Sequence, residues 1–202
     1  MMKPFLIVLS VVSLAGCSTV SGWFSRSASS ATANPGALAD YQVPDQLFAD
    51  EGRDYGTPPV SSLIPHNYRG PTPVTLAGGQ LIATPALHLR LTSNDPPLLI
   101  NTLPGPGPDM IPGSVWLSGA GQNGNFNDAV QNQLRQHLET LTEGDRNRLL
   151  VFYASGYDNW SAYNAALRAV NMRYPNVRWY RGGLTAWHAA GLPSSNGHHD
   201  LW

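Results

Sequence analysis

Few side chains in this sequence could do chemistry, and sulfur is the scarcest among them. The 202 residues hold one cysteine, Cys17, which rules out an intrachain disulfide and a cysteine metal cluster. Beyond residue 17 the sequence offers no catalytic thiol. The place to look is the loop Tyr153-Ala154-Ser155-Gly156-Tyr157-Asp158-Asn159-Trp160, which follows the apolar run Leu149–Tyr153. Ser155 with Asp158 is the candidate catalytic pair there, for hydrolase-type chemistry. A serine needs an adjacent base to be activated, and this loop has no histidine. The six histidines are His66, His88, His137, His188, His198 and His199; spacing alone does not bring His188, on the last predicted helix, to Ser155. The plainer reading gives Ser155 a turn role and makes Asp158 or Asn159 the cap of the following helix. The amides at that helix start could hold a small anion such as sulfate or a carboxylate. Tyr157 and Trp160 either form an aromatic surface at the loop mouth or pack inward. The terminal His198-His199-Asp200 is too contiguous to close a coordination shell, so no metal is assigned, and no pattern calls for a cofactor.

Cys17 has a different reading. The first residues run MMKPFLIVLSVVSLAGC: one positive charge at Lys3, an apolar run from Phe5 to Val12, then small residues. That is the layout of a secretory signal, and the apolar run is shorter than the roughly 20 residues needed to cross a bilayer. Leu14-Ala15-Gly16-Cys17 resembles the bacterial lipobox. The resemblance implies that residues 1–16 are a lipoprotein signal peptide, cleaved before Cys17. It further implies that the thiol carries diacylglycerol and that fatty acyl chains such as palmitate anchor the protein in a membrane. Ser18 in the next position implies the outer membrane, facing the periplasm. A membrane is thus the first expected partner, and an unidentified periplasmic protein or small anionic ligand the second.

Composition narrows the remaining classes. Charged residues make up 12% and the formal net charge is −1, against about 25% charged in ordinary soluble domains. Lys3 is the only lysine. No clustered basic face announces a nucleic-acid partner. Residues 17–36 are rich in Ser, Ala, Thr and Gly and read as the lipidated flexible tether. Residues 37–73 form a Pro-rich irregular arm carrying Tyr41, Phe48, Tyr55 and Tyr68. An arm packed over a domain and a disordered linker fit them equally.

Regular patterning starts near residue 74. Thr84-Pro85 reads as a helix start with Thr84 as N-cap, and Leu87 and Leu91 share one face. Leu98-Leu99-Ile100 reads as a strand, Leu103–Pro112 as a loop, and Ser114–Leu117 as a further strand. Phe126, Val130, Leu134, Leu138 and Leu141 recur at helical spacing over 127–142, with Gly144 available for a left-handed cap. Leu149–Tyr153 is apolar on both faces, as in the centre of a parallel sheet. A helix over 160–172, a strand Val177–Tyr180 and a helix over 184–190 complete the alternation. The expectation is an α/β fold, a mainly parallel central sheet flanked by helices, spanning residues 74–193 with a C-terminal tail over 194–202. In such sheets the loops beyond the strands' carboxyl ends carry the site.

Several segments resemble the rhodanese-like superfamily. They are Ile111-Pro112-Gly113-Ser114 before a short strand, the strand Leu149–Tyr153 feeding a Gly-containing loop, and Val177 through Trp187 with its Gly182-Gly183 turn, followed by Gly191-Leu192-Pro193. Within the superfamily, Tyr68-Arg69, Thr72-Pro73, Gly113–Leu117, Gly144-Asp145-Arg146 and Asn164-Ala165-Ala166-x-Arg168-Ala169 are similar to periplasmic proteins associated with PQQ-dependent catabolism and marked by a Cys-x-x-Cys-Trp motif. The resemblance implies a single rhodanese-like domain. It also implies that a cysteine should open the loop after the central strand. Depending on register, that position is held here by Ala154, Tyr153 or Ser155, none able to carry a persulfide. The resulting expectation is a catalytically degenerate domain, not a thiosulfate sulfurtransferase. It would serve as a protein- or ligand-binding module in the cell envelope, with a link to PQQ-dependent oxidation. The alternatives are a hydrolase using Ser155 and a purely structural envelope lipoprotein.

Overall fold

A computed structural model describes residues 36–202 apart from 66, 67, 69, 197 and 198. The leader, Cys17, most of the tether, Arg69 and His198 lie outside the described residues. The elements, in chain order, are α1 (Gly36–Ala39), β1 (Gln80–Leu81), α2 (Thr84–Leu91), β2 (Leu98–Asn101), β3 (Asp109–Met110), β4 (Val115–Trp116), α3 (Ala129–Leu141), β5 (Leu150–Tyr153), α4 (Ser161–Asn171), β6 (Val177–Tyr180), α5 (Gly183–Ala189) and β7 (Ser195–Asn196). Five strands form one parallel sheet in the order β1-β6-β5-β2-β4. No helix among the described residues is long and apolar enough to cross a membrane.

The four residues of β5 are all fully buried, which is why that segment lacks alternation: it is covered on both faces. Leu150 and Phe152 join Ile100, Val177 and Trp179 under α3 and α4. Val151 and Tyr153 join Leu99, Tyr180, Leu87 and Trp187 on the α2–α5 face. The two residue sets alternate along the strand, as the pleat requires. Ala162, Ala165, Ala166 and Ala169 let α4 approach the sheet closely. Helix α3 begins at Asp128, whose carboxylate accepts from the Gln131 amide at 2.8 Å. It ends where Glu143 (φ 53) and Gly144 (φ 80) turn left-handed.

Three details depart from the sequence pattern. Thr84 is not the N-cap of α2; Ala83 is, without a side-chain bond. The Thr84 hydroxyl donates instead to Glu51 Oε2 at 2.9 Å and sits 2.7 Å from Tyr180 Oη. A buried carboxylate is a stronger partner than a local amide, and it draws the hydroxyl inward. The span 103–112, expected as loop throughout, contains β3. Its partner β7 lies in the expected tail and pairs antiparallel, Asp109 opposite Asn196. The tail also returns to β4, with Leu201 N donating to Trp116 O at 2.9 Å and Trp202 half-buried against Gly119 and His137.

Of the two readings of residues 37–73, the described part is packed. Leu38, Phe48 and Thr72 are buried. Tyr163 Oη bonds both Val60 N and Val60 O (3.1 and 2.8 Å), and the Asn164 amide does the same with Ile64 (2.9 Å each). Two polar side chains of α4 thus pair with the arm as strand neighbours would.

Candidate functional site

The loop after β5 is held from behind by its own carbonyls. Ala154 O accepts from Leu184 N (3.1 Å), and Ser155 O accepts from Thr185 N (2.8 Å) and Thr185 Oγ1 (2.9 Å). The first amides of α5 are thereby satisfied by the loop itself. The close approach depends on Gly183, at φ +53: a Cβ there would lie 2.3 Å from Ala154 O and 2.8 Å from Gly156 N. With the carbonyls engaged this way, the N–H groups of Ser155, Gly156, Tyr157 and Asp158 have no acceptor among the described residues. Successive amides without an internal partner are suited to a small anion.

Each candidate side chain now has a place. Ala154, first after the strand, is 2% exposed, and its methyl packs in the α3–α4 core. Tyr153 is fully buried; its hydroxyl contacts Ile111 N at 2.9 Å and Ser114 Oγ at 2.7 Å, and burial raises its pKa. It is a packed core phenol, not a nucleophile. Ser155 Oγ accepts from Asn159 Nδ2 at 3.0 Å. Neither Asp158, which is exposed, nor His188 is hydrogen-bonded to it; His188 Nε2 instead faces Asp109 Oδ2 at 3.8 Å. The geometry does not assemble the Ser155–Asp158 pair. Neither Asp158 nor Asn159 is the N-cap of α4: that position is Trp160, without a side-chain bond, and Asn159, one residue earlier, accepts at Oδ1 from Ser161 N (3.0 Å) and Ser161 Oγ (2.8 Å). No group of three or more metal-ligating side chains occurs among the described residues.

The arm covers one side of the loop. Tyr55 stacks on Tyr157, ring centroids 5.1 Å apart and 11° from parallel. Tyr68 meets Trp160 edge-on, and Trp160 Nε1 donates to Gly70 O at 3.0 Å. Tyr157 O accepts from Thr72 N at 2.8 Å and from the Thr72 hydroxyl. Trp160 therefore packs inward, while Tyr157 is half-buried beneath an aromatic partner.

The residues that fasten the arm were not recognised from sequence. Arg181, directly before the Gly182-Gly183 turn, is 1% exposed. Its guanidinium donates to Asp50 O (3.0 Å), Glu51 O (2.9 Å), Thr72 O (2.9 Å) and Thr72 Oγ1 (3.1 Å). All four acceptors are uncharged; the rings of Tyr157 and Tyr55 lie 5.6 and 6.0 Å from its Cζ. Burial lowers its pKa, but an arginine keeps its charge in water-like pH ranges. Glu51, 3% exposed, accepts from Phe48 N, Thr84 N and Thr84 Oγ1, and burial raises its pKa against these bonds. On α4, Arg168 is fully buried and grips Asp128 with two 2.9 Å bonds. The available signals were motifs without an assigned role: Thr72-Pro73, Arg181 within the Val177–Trp187 segment, and Asn164…Arg168.

Residues 109–190 match the family model of the rhodanese-like domain. The match runs from β3 through α5 and includes the loop after β5. No curated protein matches the chain. The mainly parallel five-strand sheet with helices on both faces agrees with a rhodanese-like fold.

Proposed function

We propose, from the premise that residues 109–190 are a rhodanese-like domain, that this protein is an envelope-anchored binding module without sulfurtransferase activity. The lipobox-like Leu14–Cys17 supports cleavage before Cys17, acylation of its thiol and residence in a bacterial membrane; Ser18 supports the outer membrane, with the domain in the periplasm. The observation that carries the functional reading is the loop itself. Its first residue is the buried Ala154, it contains no sulfur, and the amides of residues 155–158 have no acceptor among the described residues. Such a loop keeps donors for an anionic group but has no atom on which a persulfide could be built. The ligand is accordingly a small anion or an acidic group displayed by a periplasmic protein.

The link to PQQ-dependent oxidation is supported by the likeness of Tyr68-Arg69, Thr72-Pro73, Gly113–Leu117, Gly144-Asp145-Arg146 and Asn164-Ala165-Ala166-x-Arg168-Ala169 to that rhodanese-like group. The experiment is photo-crosslinking in intact cells from position 158, which is exposed at the loop mouth; Tyr157 is covered by Tyr55. The expected result is one discrete adduct, suppressed by excess soluble domain. Adducts spread over abundant envelope proteins, with no competition, would remove the proposal.

A further inference from the structure

A cavity of about 320 Å³ opens at the end of the sheet opposite the loop, lined by Arg90, Asp95, Arg148, Asn147, Asn176 and Arg178 among others. Its walls are the segments that lead into β2, β5 and β6, together with the last turn of α2. The arginines differ in what they already hold. Arg148 is committed: it reaches Asp95 Oδ1 at 2.9 Å and Pro96 O at 2.7 Å. Arg90 and Arg178 have no side-chain hydrogen bond, ion pair or ring contact with any described residue. Every other described arginine except Arg173 has such a partner. Among the described residues, two of the three unpartnered guanidinium groups therefore line one cavity, in a chain where charge is scarce. Their backbone positions are set by regular structure. Arg178 sits within β6, opposite Val151 and Gln80, and Arg90 rides on α2.

A guanidinium stays charged and presents a planar fork of donors suited to carboxylate and phosphate oxygens. Two such groups on one cavity repel each other; the lining carboxylate Asp145 offsets part of this, and an anion between the two guanidinium groups offsets more. The rest of the lining is not uniformly basic. Asp145 accepts from Asn147 N at 2.8 Å, and Asn176 Nδ2 donates to Asn147 O at 2.7 Å, so each of these lining side chains keeps an oxygen without a bond to a described residue. Carboxylate and amide oxygens there accept hydroxyl protons. The volume falls at the low end of small-molecule sites.

We propose that this cavity is a second ligand site, binding a small hydroxylated anion, with its carboxylate or phosphate group between Arg90 and Arg178 and its hydroxyls toward Asp145 and Asn176. It is separate from the loop after β5 and does not depend on the function assigned to that loop.

The test uses the full chain, 15N-labelled in detergent micelles, titrated with inorganic phosphate and, separately, with malate; chloride at equal ionic strength is the control. The Nε–H signals of Arg90 and Arg178 are followed with the side-chain amide signals of Asn147 and Asn176. The expected result is saturable shifts with at least one probe and none with chloride, and binding about tenfold weaker in R90Q and in R178Q. Saturation by phosphate alone or malate alone assigns the anion class. Shifts that chloride reproduces, or variants that bind as tightly as the parent, would overturn the proposal. Should R178Q fail to fold, R90Q, at the exposed end of α2, carries the same test.

Discussion

Replacing Arg181 by methionine tests whether the arm is an integral part of the domain. The guanidinium makes four hydrogen bonds to the arm. Asp50 is exposed, so its carbonyl regains water when the bond is lost. Thr72 Oγ1 keeps its bond to Tyr157 O. The carbonyls of Glu51 and Thr72 belong to residues 3% and 1% exposed and are left without a donor. A stranded buried acceptor costs about 1–3 kcal/mol, and removal of a buried charge returns part of that. Methionine fills the volume of the stem. The expected loss is about 2–4 kcal/mol, read by urea unfolding of the chain lacking residues 1–17. Hydrogen exchange at the Thr72 amide, which donates to Tyr157 O, should accelerate more than exchange in β5. A loss under about 1 kcal/mol, with Thr72 exchange unchanged, would refute the claim that Arg181 fastens the arm.

Further outcomes follow from the same contacts. Burial pushes Asp128 upward, yet the Arg168 fork and two backbone amides hold its pKa at about 2 against an ordinary 3.8. The unfolded chain therefore takes up this proton first. About 2 kcal/mol of stability is present above about pH 4 and is lost as pH falls toward 2, and D128N should flatten that part of the unfolding profile. Glu51 works in the opposite sense: with its pKa raised by burial, acid relieves it, so E51Q should be better tolerated at neutral pH than E51A, as melting temperature will show. G183A places a methyl 2.3 Å from Ala154 O at φ +53 and should cost about 2 kcal/mol or more by urea unfolding. S155A loses only the bond from Asn159 and should change stability by about 1 kcal/mol or less while leaving ligand binding intact. C17S should abolish palmitate labelling and release the protein from membranes.

The sheet and its main helices were legible because their signal is local. The unbroken apolar run of β5 reports burial on both faces, and the Leu134–Leu138 spacing reports the inner face of α3. β3 and β7 were not legible: two-residue strands carry no periodicity, and their pairing joins residues 109 and 196. The loop's position could be read from the end of β5; the cap of α4 could not, because it is Trp160, a residue type without a side-chain acceptor, and Asn159 reaches Ser161 N from one position earlier. The arm could not, because what holds it is backbone atoms of residues 50–72 meeting side chains of Tyr163, Asn164 and Arg181 some hundred positions later. Backbone acceptors leave no trace in residue type. Thr84 misleads for a different reason: its partner is a side chain, the Glu51 carboxylate, but one 33 residues away.

The central claim is that the loop retains its anion-facing amides but transfers no sulfur. The most direct measurement is thiosulfate-to-cyanide sulfurtransfer by the purified chain, followed by mass analysis of the peptide spanning 153–161. The expected result is no turnover above a heat-inactivated control and an unmodified peptide. Turnover, or a sulfur adduct recovered on that peptide, would contradict it.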